Sequence, residues 1–139
     1  MTSVIVDTNV VLSYLTDRDE HQQDQAALLF EAAGADTKLV VHQQVVTEMV
    51  YALVNHYDQA RALVSSVVEE FLALPGVEIV DALRWSRVLV LWPETYRDFT
   101  DAVLADLASA YRSAPIATFD EAFSKCLERN EIPTWKFID

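Results

Sequence analysis

The chain of 139 residues holds one cysteine, Cys126, and two glycines, Gly34 and Gly76. A single cysteine excludes an intramolecular disulfide and a cysteine-based zinc site, and it fits a reducing compartment. Two isolated glycines exclude a glycine-rich phosphate loop. Positive charge is also scarce. Lys and Arg total 10 against 22 Asp and Glu, a formal net charge of -12 with a pI near 4.4. Such a balance excludes a basic sleeve that holds nucleic acid by charge alone. No apolar run approaches the ~20 residues of a membrane helix. The opening segment MTSVIVDTNVV lacks a basic leader, and Asp7 breaks its apolar run, so it makes a poor signal peptide. The expectation is a soluble, cytoplasmic protein with no membrane contact. No linker, repeat or low-complexity stretch divides the chain, which reads as a single domain over residues 1–139.

What is present alternates between short β-branched runs and longer helical patterns. Ser3–Val6 (SVIV) is apolar on both faces, as a buried parallel strand requires. Helices are expected from about Val10 to Thr16 and from Glu20 to Ala33, the second stopping at Gly34. Lys38–Val41 is the next strand, followed by a helix from Gln43 to about Tyr57. Asp58 is a candidate cap for a helix that carries Leu63, Val64, Val67 and Phe71. Val77–Val80 reads as a third strand, Asp81–Leu91 as a helix, and Thr100–Arg112 as another. Pro115–Phe119 is the fourth strand, Glu121–Arg129 a helix, and Pro133–Ile138 a last edge strand. Alternation of this kind predicts an α/β fold: a central, mostly parallel sheet of four to five strands flanked by helices in three layers. Ligands of such sheets sit beyond the carboxyl ends of the strands, at the topological switch point.

Four carboxylates fall where that rule points. Asp7 follows strand one and Asp120 follows strand four. Glu48 and Asp101 stand on helices beside apolar neighbours, Val45 and Ala52 for the first, Leu104 and Ala105 for the second. An acid at the border of a buried face costs free energy unless something compensates it. Gathered carboxylates also raise one another's pKa. A divalent cation with a preference for oxygen, Mg²⁺ or Mn²⁺, removes both problems and binds phosphate oxygens in the same shell.

These segments carry a resemblance. VIVDTNVVLSYL, VVTEMVYAL, DFTDAVLADLA and PIATFDEAF, in that order, resemble the acidic motifs of the PIN-domain ribonucleases, and most nearly those of VapC-type toxins of bacterial toxin–antitoxin pairs. The likeness runs from Asp7 to Phe123. It implies a single PIN-like domain and a metal-dependent endoribonuclease whose acidic site is Asp7, Glu48, Asp101 and Asp120. It also implies Mg²⁺ or Mn²⁺ held by Asp7, Asp101 and Asp120, with Glu48 acting through water. Thr8 and Asn9 match the family's strand-end motif, Thr118 the hydroxyl two residues before the last acid, and Asp98 an extra acid one turn before Asp101. Products with a 5′-phosphate and a 3′-hydroxyl are expected. The implied partners are RNA, a second copy of the chain, and a cognate VapB-type antitoxin whose helices lie in an apolar groove. The helices near Glu20–Ala33 and Gln43–Leu74 could build that groove.

Each residue also has a plainer reading. Asp7, Asp98 and Asp120 suit helix caps, Asp101 could pair with Arg97, Glu48 could be solvated, and Thr118 could be a β-former. His21, His42 and His56 show no ligand spacing, Trp85 and Trp92 read as packing residues, and Cys126 as a small packing residue. Two other classes compete. A receiver-like phosphotransfer domain shares the architecture and an acidic pocket, but it wants paired early acids and a late Lys-Pro, which this chain lacks. A PIN-like interaction module without catalysis is the other alternative. For RNA contact, Arg18, Lys38, Arg84, Arg87, Arg97 and Arg112 are unranked candidates.

Overall fold

A computed structural model describes residues 2–138. Four parallel strands, β1 (Thr2–Val6), β2 (Thr37–His42), β3 (Val77–Val80) and β4 (Ile116–Ala117), form one sheet in the order β3-β2-β1-β4. Seven helices flank it: α1 (Thr8–Leu15), α2 (Glu20–Ala32), α3 (Gln43–Asn55), α4 (Arg61–Leu72), α5 (Trp85–Leu91), α6 (Phe99–Ala110) and α7 (Glu121–Arg129). The predicted α/β class holds. After β1 the chain builds outward through β2 and β3, then returns to place β4 on the other side of β1. The reversal puts the switch point between the carboxyl ends of β1 and β4.

The sheet centre is apolar for a physical reason. Val4, Ile5 and Val6 of β1, and Leu39, Val40 and Val41 of β2, are wholly buried, because helices cover both faces of a parallel sheet. Helix α6 is buried over most of its surface, through Ala102, Val103, Leu104, Ala105, Leu107 and Ala108. Its alanines let it lie against β1, which it contacts. Asp106, inside this helix, is neutralised by Arg84 at 2.7 Å.

The two glycines meet. Gly34 (φ +89°) and Gly76 (φ +77°) take the left-handed backbone, and a Cβ on Gly76 would stand 2.2 Å from the Gly34 nitrogen. Two turns at the amino end of the sheet thus pack backbone to backbone, where only glycine fits.

Four local expectations are corrected. Asp58 does not cap α4: Ala60 occupies the cap without a side-chain bond, and Asp58 sits at φ 51°. The helix expected from Asp81 starts only at Trp85. Residues 81–84 stay out of it because the Ala82 carbonyl bonds the His42 ring at 2.9 Å and Arg84 reaches to Asp106. The fourth strand is Ile116–Ala117 and not Pro115–Phe119, since the Phe119 amide turns to the Asn9 side chain at 2.9 Å. The edge strand expected over Pro133–Ile138 reduces to one bridge, Ile116 to Thr134. With β4 only two residues long, there is no further ladder for it to join, so among the described residues the sheet has four strands and no fifth.

Candidate active site

Each predicted acid is delivered by a different segment. Asp7 ends β1 and caps α1, its Oδ1 accepting the Thr8 amide at 2.8 Å. Its Oδ2 accepts the Thr118 hydroxyl at 2.8 Å and Asn9 Nδ2 at 3.1 Å. Glu48 projects from the middle of α3, where Thr8 Oγ1 donates to its Oε1 at 2.6 Å and Thr100 Oγ1 to its Oε2 at 3.0 Å. Asp120 caps α7, accepting the Phe123 amide at 3.1 Å. Asp98 caps α6 through the Asp101 amide at 3.2 Å. Asp101 lies in the first turn of α6, and its carboxylate has no hydrogen bond or ion pair among the described residues. The expected alternative, a pair with Arg97, does not form.

All four predicted acids, with Thr8, Asn9 and Asp98, line one open cleft of about 520 Å³. Thr118 stands behind it. Its hydroxyl donates to Asp7 and accepts from Asn9 Nδ2 and from the Asp120 amide, each at 3.1 Å. One donor and two acceptor positions exhaust a hydroxyl. The cap readings of Asp7, Asp98 and Asp120 are therefore correct as far as they go. Capping uses one acceptor position on each of Asp98 and Asp120 and leaves the rest open toward the cleft. The N-termini of α1, α6 and α7 also converge here, and their positive dipole ends offset part of the acid charge.

What remains shows in the titration of the acids. Burial pushes Asp7 up to about 6, against the Thr118 and Thr8 hydrogen bonds, with Glu48 and Asp120 adding repulsion. Asp101, half-buried and unbonded, is pushed to about 8, by burial first and then by Asp7, Asp98, Asp120 and Glu48. Five carboxylates line the cleft and one guanidinium, that of Arg18, faces them. The donor set is entirely oxygen, as Mg²⁺ and Mn²⁺ require. Among the described residues no three His, Cys, Asp or Glu groups are close enough to ligate one ion together. Mg²⁺ commonly uses one or two carboxylates and keeps its waters, so the residues fit such an ion.

A family model for the PIN domain matches residues 4–126. The chain belongs to the PIN-domain family. No curated protein matches this PIN domain. Among solved structures it is similar to VapBC2 from Rickettsia felis, determined bound to a DNA fragment from their promoter, at 16% identity and a TM-score of 0.69. That match covers 99% of this chain and 100% of the other. It is also similar to PAE2754 from Pyrobaculum aerophilum, at 16% identity and a TM-score of 0.63, over 90% of this chain and 79% of the other. At these identities the likeness is one of fold.

Several features of the site escape a reading of the sequence. Thr100, buried at the start of α6, is the second anchor of Glu48, and an ordinary helical threonine gives no sign of it. Tyr51 and His56 line the cleft edge to face, their ring centroids 5.6 Å apart. His42, expected at a surface or strand end, is buried and caps α3 by accepting the Gln44 amide on Nδ1 at 3.0 Å. Of the candidate cations, Lys38 is taken by Glu78 and Arg84 by Asp106, whereas Arg18 faces the acids. Trp92 packs edge to face on Phe99, as expected, whereas Trp85 touches the same ring but stays 60% exposed, so the packing expectation holds for it only in part. Asp81, where a receiver-like reading would look for chemistry, is exposed beyond edge strand β3 and does not line the cleft.

Proposed function

We propose that this PIN domain is a Mg²⁺- or Mn²⁺-dependent endoribonuclease acting as the toxin of a toxin–antitoxin pair. The observation that carries the reading is Asp101, an unpaired, half-buried carboxylate sharing one cleft with Asp7, Glu48 and Asp120. Acids so placed raise the free energy of the folded chain, and a divalent cation, which can also take phosphate oxygens in its shell, offsets that cost.

One or two of Asp7, Asp101 and Asp120 would ligate the ion directly and the rest through its waters, which Glu48 would also hold. When bound, such an ion acidifies a water and polarises a phosphate oxygen, as phosphodiester hydrolysis requires. The chain's own residues supply position. Thr118 and Asn9 fix the rotamer of Asp7, as outer-shell partners do at metal sites, and the Thr118 hydroxyl favours its ionised form against the burial that raises it. Thr8 and Thr100 hold one oxygen each of Glu48, which keeps acceptor positions open for a water O–H. Asp101 carries a proton most readily and gives it up when positive charge enters the cleft.

Two observations support the toxin role. One is the fold shared with a VapBC assembly. The other is a second groove of about 420 Å³, where apolar Leu15, Leu53, Tyr57, Leu63, Val64 and Val67 stand beside polar Thr16, Asp17, Gln23 and Gln59, with Leu63 52% exposed. A groove of this mixed lining suits an amphipathic helix, as of a VapB-type antitoxin. A charge of -12 favours fast capture of a cationic partner. No helix among the described residues is long and apolar enough to cross a membrane, which suits a cytoplasmic toxin. A homodimer completes the reading.

Single-turnover cleavage of a panel of structured transcripts tests it. The wild type should cut in Mg²⁺, and Asp101→Asn should cut at least 100-fold more slowly with an unchanged fold. Equal rates would remove Asp101 from the site. No cutting by the folded, partner-free wild type would favour the non-catalytic module.

A further inference from the structure

A second cleft, of about 270 Å³, opens on the far side of the acids. It is lined by Asp98, Asp101 and Asp120 together with Arg97, Arg129 and Tyr96. The three acids belong to both clefts, so the two meet at the site. Each cleft also carries cations of its own: Arg18 lines the first, and Arg97 and Arg129 line the second. All three are exposed, and none forms an ion pair among the described residues. Arg61, Arg87, Arg112 and Lys125 are likewise without an ion pair among the described residues, whereas Lys38, Arg84 and Lys136 are each neutralised by a carboxylate. What singles out Arg18, Arg97 and Arg129 is that they line the clefts that hold the acids.

Arg18 is held by neutral acceptors. Its Nε donates to Ser13 Oγ at 3.0 Å and its Nη2 to the Asn9 carbonyl at 2.8 Å. Ser13 is wholly buried, and its hydroxyl donates in turn to Gln22 at 3.3 Å. These bonds occupy the Nε–Nη2 edge of the guanidinium and leave the Nη1 side without a partner among the described residues. The charge is thus aimed but not cancelled, an arrangement that suits a phosphate.

We propose that the two clefts form one track for a single strand of RNA. The acids lie at its middle, Arg18 grips a backbone phosphate on one side, and Arg97 with Arg129 grips one on the other. This rests on the nuclease reading and adds how substrate is held. The chain has too few cations to attract RNA broadly, so the ones left unpaired at the site do the positioning. A strand gripped on both sides is held across the acids.

The test is the salt dependence of kcat/KM on whichever transcript of the panel the wild type cuts, measured for Arg18→Gln and for Arg97→Gln with Arg129→Gln. Each variant should raise KM at least fivefold with little change in kcat. Each should also flatten the slope of log kcat/KM against log salt by about 0.7 for every phosphate no longer gripped. The two penalties should multiply when combined, since the ends are separate. Arg18→Lys should recover most of the slope, because it restores charge without the forked bonding. A transcript shortened on one side of the cut should become insensitive to one set of substitutions and stay sensitive to the other. Wild-type KM and slope in either variant would overturn the track. So would a loss in Arg18→Gln that follows its melting temperature and that lysine fails to rescue. A folded wild type that cuts no transcript overturns the nuclease reading itself, and the track with it.

Discussion

The Thr118 hydroxyl donates to Asp7 Oδ2 at 2.8 Å across 111 positions of sequence, tying the end of β4 to the end of β1. The same oxygen accepts the Asp120 amide and Asn9 Nδ2. Thr118→Val keeps the shape and removes all three bonds, leaving part-buried donors short of an acceptor. It should lower unfolding free energy by about 1–3 kcal/mol in urea titrations, and cleavage by about 10- to 100-fold. Thr118→Ser should restore most of both. A valine variant of wild-type stability and rate would mean the hydroxyl only fills space.

Stability without metal should fall as pH rises. Asp7 and Asp101 both move up from 3.8, to about 6 and about 8. Between those values the folded chain retains protons that the unfolded chain has released, so unfolding free energy decreases with pH through that window and levels above it. Asp7, which is 6% exposed, contributes about 3 kcal/mol of the loss. Asp7→Asn should abolish cleavage. In chelator its melting temperature should gain on wild type from pH 5 to pH 8. At pH 5 it should show no gain, because the new amide faces the Asn9 amide, donor against donor. A wild-type melting temperature that climbs over this range in chelator would contradict the buried acid cluster.

The same residues explain what could be read in advance. Asp7 and Asp120 were legible because a buried β-branched run followed by an acid marks a strand end, and strand ends are where such sheets bind. Glu48 and Asp101 were legible as acids beside apolar neighbours. Contacts between distant segments were not. Nothing in sequence spacing joins Thr100 to Glu48, or Arg18 to the Asn9 carbonyl, since both depend on how α6 and the α1–α2 loop pack. The shortened β4 has the same origin: Phe119 reads as a strand residue until Asn9 takes its amide. Asp58 fits a capping pattern, but its positive φ places it in a turn ahead of the helix.

The glycine contact gives a prediction independent of the site. Gly76→Ala places a methyl 2.2 Å from the Gly34 nitrogen at φ +77°. It should cost about 3 kcal/mol or more, from overlap and backbone strain together. Soluble yield and denaturant midpoint read the loss, and Gly34→Ala should show the strain with less overlap. A Gly76→Ala protein within about 0.5 kcal/mol of wild type, inside the usual range of surface substitutions, would contradict the close approach.

Metal should stabilise the folded chain by mass action, by about 2.7 kcal/mol at 100 times the dissociation constant. Because Asp101 must release its proton to bind, the stabilisation at fixed Mn²⁺ should be larger at pH 8 than at pH 6. Calorimetric melts across Mn²⁺ concentration at the two pH values measure it, and Asp101→Asn should remove most of the difference. Equal stabilisation at both values would place the ion elsewhere.

The most direct test of the central claim, that four acids from four segments form one metal-dependent RNA-cleaving centre, is single-turnover cleavage by the purified wild type. Mg²⁺ is first present, then chelated with EDTA, then restored. Cutting should stop on chelation and return in full with the metal. Cutting that persists unchanged in EDTA would contradict the account.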